Sequence, residues 1–316
     1  MADHFTPSCL LILTGSSTGF SDHAIKALIY DRIRKPSKLK DPDMKPNATY
    51  NDVILESRKS REHALFANPL NWFSLAGLFP LLEGANVLSD NSTDAIYLPH
   101  LPHGTRVLFV VREQEVRLRV ERGDGIMNEN LSEERFLCQD TETDPDLIDI
   151  GPYTMAVINR NGMPYLRVWD VDSDALKAFS GLKYFPVNPQ FCVEAVYEEF
   201  DSPHILAYQD VIGGRHTSSF PGQVHFQLQG QSLSLVAEEM EDELLFNFTD
   251  LTRADATYPG GRRLMTSKPA DRHLHLDFNL AINWPCAYTP YATCPLPPAE
   301  NHLPIRIEAG EKRYHD

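Results

Sequence analysis

No stretch of this 316-residue chain approaches the roughly 20 consecutive apolar residues of a membrane-spanning helix. The longest apolar run near its start, Cys9 to Leu13, is too short for a secretory core and has no basic segment before it. Basic charge is also scarce: 29 Lys and Arg stand against 44 Asp and Glu, a net charge of −15, and no basic run is dense enough to track a phosphate backbone. Nucleic acid and membrane are therefore excluded as expected partners. Cysteine is sparse, with Cys9, Cys138, Cys192, Cys286 and Cys294 widely spaced and odd in number. That pattern argues against a secreted disulfide framework and for a reducing, cytoplasmic setting. The sequons at Asn47, Asn91, Asn130 and Asn247 are then accidental, because glycosylation needs secretory passage. Cofactor signatures are missing too. Gly213-Gly214 and Gly260-Gly261 read as turns, and there is no G-x-G-x-x-G, Walker, G-x-S-x-G or H-E-x-x-H spacing. No cofactor and no metal are expected.

What the chain does contain is strand patterning. A short helix over Ser21 to Lys35 and a Pro/Lys/Asp-rich linker make residues 1–50 an N-terminal extension. Val53 to Ala67 has Val53, Ile54, Ser57, Arg61, Ala64 and Leu65 spaced for one helical face, and Pro69 ends it. After the apolar stretch 71–88, short strands follow over Ala95–Leu98, Thr105–Arg112 and Glu115–Val120, the last two joined by a tight turn. Beyond the acidic segment 140–149, strands recur over 154–160, 166–170, 191–200, 204–210, 223–229, 232–237, 243–250 and 273–281. The expected fold is mainly β: an antiparallel barrel or sandwich body in two parts, 51–150 and 151–316, with short N-terminal helices.

Several ordered pieces carry a resemblance. They are Trp72, Leu75, Gly77 and Leu78 with Glu83-Gly84 and Asn86; Arg167-Val168-Trp169-Asp170; Gly181 to Val187; Asp250, Thr252, Thr257 and Tyr258 leading to Gly261-Arg262; Leu276 to Asn279; and Pro285-Cys286-Ala287 through Cys294-Pro295 to Ala309-Gly310-Glu311-Lys312. Over residues 60–314 the chain resembles the microbial family known as domain of unknown function 1684, a resemblance that implies no activity. The chain departs from that pattern at Arg253-Ala254 and at Trp284, which stands where the family has a proline. The departure at Trp284 implies a pocket shaped for a ligand that relatives do not share.

The stretch Leu276–Pro298 is the densest run of unusual residues. Alternation along 273–281 sets His273, His275, Asp277 and Asn279 on one face. An H-x-H pair with a nearby carboxylate can hold a divalent cation, but the third ligand is undefined and a solvent-facing strand accounts for the pattern. Asp277, Tyr258 and Arg262 form the candidate catalytic set, because a buried carboxylate needs a partner and the Arg262 fork suits one. Trp284, Asn279, Tyr184, Trp72 and Tyr288 are the candidate substrate-binding residues. Cys286 and Cys294 read as buried, inert thiols.

Two functional readings stand side by side. One is a cofactor-independent enzyme, an isomerase, cyclase or hydrolase, acting on a small, largely apolar organic molecule. The other is a non-catalytic small-molecule-binding or structural β module. An apolar cavity walled by Tyr258, Asp277 or Trp284 favours the first, and a filled barrel favours the second.

Overall fold

The computed structural model describes residues 49–123, 134–141, 145–240 and 243–315. The expected helix over Ser21–Lys35 and Cys9 lie outside the described residues. Helix α1 (Tyr50–Phe66) starts at a capping box in which the Thr49 side chain and Asp52 satisfy each other's backbone N–H groups. Only Ile54 of this helix is buried, and the expected apolar face is replaced by polar anchoring described below.

Seventeen strands follow among the described residues. The first sheet joins β1 (Leu75–Pro80), β9 (Met163–Asp170), β8 (Tyr153–Arg160) and β7 (Ile148–Ile150). The second joins β3 (Ile96–Tyr97), β2 (Gly84–Ser89), β4 (Arg106–Arg112), β5 (Glu115–Arg122) and β6 (Arg135–Leu137). They share one core, in which Leu88, Val107, Phe109, Leu118, Val157 and Leu166 are buried. Strand β5 alternates as its sequence requires, with Val116 and Leu118 inward and Arg117 and Arg119 wet. Its hairpin with β4 turns at Glu113 and Gln114, both at positive φ, and Asn161-Gly162 turns the β8–β9 hairpin in the same way. Residues 151–170, which periodicity groups with the later strands, instead join the sheet of β1, with β9 pairing to it directly and β8 to β9, and pack in this first core.

The third sheet carries the rest in the order β15 (His273–Asp277), β10 (Cys192–Gln209), β11 (Arg215–Leu228), β12 (Gln231–Met240), β13 (Glu243–Asp250), β14 (Arg262–Ser267) and β16 (Ile282–Asn283). Strand β17 (His302–Leu303) joins it by pairing parallel to β13. The two strands expected over 191–200 and 204–210 are one, β10, interrupted by a bulge between Glu199 and His204. Pro203 sits in that bulge, where a residue without an N–H is tolerated. The sheet rolls until β14 and β15 come within 8 Å between Cα atoms without exchanging ladder bonds, so the body is sandwich-like rather than a closed barrel. Phe226, Leu235, Phe246, Phe248, Leu276 and Phe278 fill its interior. A short helix, α2 (Asp174–Lys177), lies between the two cores in the chain. No described helix is long and apolar enough to cross a membrane.

Candidate functional site

The three candidate catalytic residues are not gathered. Among the described residues no hydrogen bond or ion pair joins any two of Asp277, Tyr258 and Arg262. Arg262 opens β14 directly opposite Phe248 of β13, which points its guanidinium at Asp250. Its Nη2 donates to Asp250 Oδ2 at 2.7 Å and to the Ile307 carbonyl at 3.0 Å, and its Nη1 to the carbonyls of Ala309 and Glu311. Asp250 Oδ1 accepts from the Thr252 N–H and hydroxyl and from the Ile307 N–H. Both side chains are almost fully buried, and burial lowers the Arg262 pKa against the opposing pull of Asp250. The expected Asp277–Arg262 partnership is thus replaced by Asp250–Arg262, which ties the C-terminal segment 307–311 to the sheet.

Asp277 ends β15, and the strand gives way to a 3₁₀ turn over Phe278–Leu280. Asn279 therefore leaves the strand alternation and is buried, while His273 and His275 face solvent. Asp277 Oδ2 accepts from the Tyr50 hydroxyl at 2.8 Å, and Oδ1 caps the turn through the Asn279 N–H at 3.0 Å. Asn279 Nδ2 donates to Tyr50 Oη and to the Asn188 carbonyl, both at 2.9 Å. Burial, reinforced by Asp277, pushes the Tyr50 hydroxyl pKa up. This cluster holds the first turn of α1 against the sheet. Arg58 adds bonds to the carbonyls of Phe185 and Asn279.

Trp284 is locked rather than lining open space. Its Nε1 donates to Asn247 Oδ1 at 2.8 Å, and the Arg263 guanidinium lies 4.7 Å from its ring centroid. Trp72 sits half-buried where three apolar clusters meet, with Arg167 5.7 Å from its ring. The Tyr258 hydroxyl has its pKa raised by burial first and by the nearby Cys286 second.

Two of the expected residues do converge, on a carboxylate that sequence patterning did not single out. Glu311 is fully buried. Its Oε1 accepts from the Tyr288 hydroxyl and from Asn283 Nδ2, the latter at 3.0 Å; its Oε2 accepts from the Asn283 N–H at 3.1 Å and from Arg61 Nε at 3.3 Å. Arg61 Nη2 also donates to Tyr288 Oη at 2.9 Å. Gly310 makes the approach possible: it takes φ +75°, and a Cβ there would lie 2.5 Å from the Ala281 carbonyl oxygen. Tyr184 pairs with Glu311 in an isolated bridge, and its buried hydroxyl has no hydrogen-bond partner among the described residues. Arg58 lies 4.6 Å from the Tyr184 ring centroid. Burial raises the pKa of both phenols, with Glu311 adding to the rise, so both stay protonated at neutral pH. Burial opposes the charge on Arg61, but Tyr288 and Glu311 outweigh it.

Beside this group stands an aromatic wall. The Phe73 ring lies 5.1 Å from Tyr288, 5.2 Å from Phe66 and 4.8 Å from Phe179, and Tyr314 packs against Phe73 and Tyr288. Phe73 and Tyr288 are buried, while Phe66, Phe179, Leu182 and Tyr314 are half-buried at its edge.

Residues 177–312 match the family model described as protein of unknown function, DUF1684. The chain is also similar to an uncharacterized protein of Haloarcula marismortui whose structure was solved by NMR in solution; identity is 30%, covering 43% of this chain and 78% of that one, with a TM-score of 0.37. The chain belongs to the DUF1684 family. No curated protein matches it. The DUF1684 match spans the third sheet and the C-terminal tail, so Tyr184, Tyr288 and Glu311 lie within it. Arg61, Phe66, Trp72 and Phe73 come from the portion before the match. The Glu311 centre is therefore composite: the family body supplies the carboxylate and phenols, and α1 with the segment after it supplies the cation and much of the apolar wall. Glu311 does lie in the Ala309-Gly310-Glu311-Lys312 piece, which is the signal through which sequence could have found it.

Proposed function

We propose that the chain is a cofactor-independent enzyme, of the isomerase or cyclase type, acting on a small and largely apolar organic molecule in a cytoplasmic setting. The reading rests on one observation: a fully buried carboxylate, Glu311, bound to Tyr288 and Arg61 beside a half-buried aromatic wall and Tyr184, whose buried hydroxyl has no hydrogen-bond partner among the described residues. Buried polar groups are ordinarily satisfied, and an unsatisfied donor next to acid–base groups is a place for a substrate acceptor. In this reading Tyr184 donates to an oxygen of the substrate. Glu311, through Tyr288, takes up a proton, and the nearby Arg61 holds the resulting charge balance. Moving a proton between two positions of one molecule is isomerase chemistry, and the aromatic edge selects apolar carbon.

The test is incubation of purified protein with a mixed small-molecule extract, followed by chromatography and mass spectrometry for conversions that leave mass unchanged. Tyr184→Phe and Glu311→Gln should each abolish a conversion that the parent protein performs, with Tyr184→Phe fully folded. A Tyr184→Phe protein that converts as fast as the parent would sink the assignment. The second reading, a binding or structural module, is favoured by the buried Asp250–Arg262 pair and the filled interior of the third sheet. It predicts that these substitutions move melting temperature and nothing else.

A further inference from the structure

The loop after β16 brings two thiols together. Cys286 lies in a 3₁₀ turn over Pro285–Ala287, where Pro285 begins the turn and the Ala287 and Tyr288 N–H groups close it on the carbonyls of Trp284 and Pro285. The chain then returns so that Cys294 Sγ accepts the Cys286 N–H at 3.2 Å. Cys294 is pinned from behind, since its carbonyl accepts the Val211 N–H at 3.0 Å and Pro295 bridges to Asp210. Cys294 packs against Trp284 and Ala292 in one small apolar cluster, and Cys286 lies against it. Both thiols are free. A sulfur held 3.2 Å from the partner residue's own backbone nitrogen brings the two cysteines side by side, the proximity from which a disulfide can form.

We propose that Cys286 and Cys294 form a reversible dithiol–disulfide site, with Cys286 as the attacking sulfur and Cys294 as the resolving one. The assignment of roles follows from access: Cys286 is half-buried, while Cys294 is buried against Trp284 and Ala292. Charge supports it. Hydrogen bonding from Cys294, aided by Tyr258, lowers the Cys286 pKa despite burial, whereas burial raises that of Cys294. Arg263, whose own pKa is lowered to about 10 by burial, sits close enough to offset part of the cost of a Cys294 thiolate.

The oxidant is a small-molecule disulfide. The Cys286 thiolate attacks one of its sulfurs, forming a mixed disulfide and releasing one small thiolate. Cys294 then loses its proton to solvent and attacks the Cys286 sulfur, forming the Cys286–Cys294 bond and releasing the second small thiolate. Two electrons pass from the protein thiols to the small disulfide, which leaves as two thiols. Excess small thiol reverses both steps.

Reduced full-length protein, equilibrated with a series of oxidised-to-reduced glutathione ratios, alkylated and mapped by mass spectrometry, decides the matter. The expected result is a Cys286–Cys294 disulfide that appears and disappears with the ratio, while Cys138 and Cys192 remain alkylated. Cys294→Ser should instead accumulate glutathione on Cys286, and Cys286→Ser should abolish oxidation of the pair. Alkylation of Cys286 should reach half its limiting rate at lower pH than alkylation of an ordinary exposed cysteine, because its thiolate forms earlier. Failure of the pair to oxidise at the highest ratio, or a persistent glutathione adduct on Cys286 in the parent protein, would overturn the proposal. Mapping of the unmutated protein is sufficient on its own, so a variant that fails to fold does not protect it.

Discussion

At the residue scale, Arg262 and Tyr184 show opposite uses of burial. Arg262 has its charge matched by Asp250 and both Nη groups bonded to the carbonyls of Ile307, Ala309 and Glu311, and only its Nε lacks a partner among the described residues. Removing it would leave Asp250 buried and unpaired and three carbonyls short of a donor. Arg262→Met should lower stability by about 3–5 kcal/mol, measured by urea unfolding, as breakage of buried pairs does. A loss under about 1 kcal/mol would mean that water reaches Asp250. Tyr184 has less to hold it, a buried hydroxyl with no hydrogen-bond partner among the described residues. Tyr184→Phe should leave stability unchanged or raise it by about 1 kcal/mol, because an unsatisfied buried group costs roughly 1–3 kcal/mol. A clear loss would reveal a partner for the hydroxyl. The Asp, Asn and Arg residues of the C-terminal motifs were legible as a polar set from composition alone, but which carboxylate meets which cation was not. Asp250 and Asp277 are equally plausible partners for Arg262 in one dimension, and only the β13–β14 register selects between them.

At the element scale, α1 is held by polar anchors rather than by an apolar stripe. Tyr50 meets Asp277 and Asn279, Arg58 meets two carbonyls, and Arg61 meets Glu311 and Tyr288. Such a helix opens more readily than the β body, since few buried apolar contacts oppose its release. Amide exchange should therefore be faster in 53–66 than in β11–β13. Arg61→Gln should speed it further in the helix while leaving the sheet unchanged, and equal acceleration in both would show that α1 unfolds only with the whole body. The helix itself was readable from its spacing and from Pro69, although it begins at Tyr50 behind the Thr49–Asp52 capping box rather than at Val53. Its anchoring was not, because Glu311 and Asp277 lie more than two hundred residues away in the chain. Strand β15 shows a related limit: alternation places Asn279 with Asp277, but the chain turns after Asp277 and buries Asn279 at the turn.

At the scale of the whole molecule, two separate cores divide the work. Residues 81–168 build one and residues 191–309 the other, and the DUF1684 match covers the second. A fragment of residues 177–316 should retain antiparallel β circular dichroism, since its core is complete. It should melt well below the full chain, because Phe66, Trp72 and Phe73 would no longer cover Ala287, Tyr288 and Trp284. An equal melting temperature would show that the first part adds nothing to the second.

Alternation, turn residues and punctuation are local properties, and they were enough to determine a mainly β chain, most of its strands and its first described helix. Pairing is not local. That residues 151–170 return to the sheet of β1, that Arg262 takes Asp250, that Cys286 meets Cys294 and that Glu311 gathers Tyr288, Tyr184 and Arg61 all depend on contacts between segments far apart in sequence. Those contacts are set by which apolar faces can be buried together, and the polar groups take whatever partners that burial brings within reach.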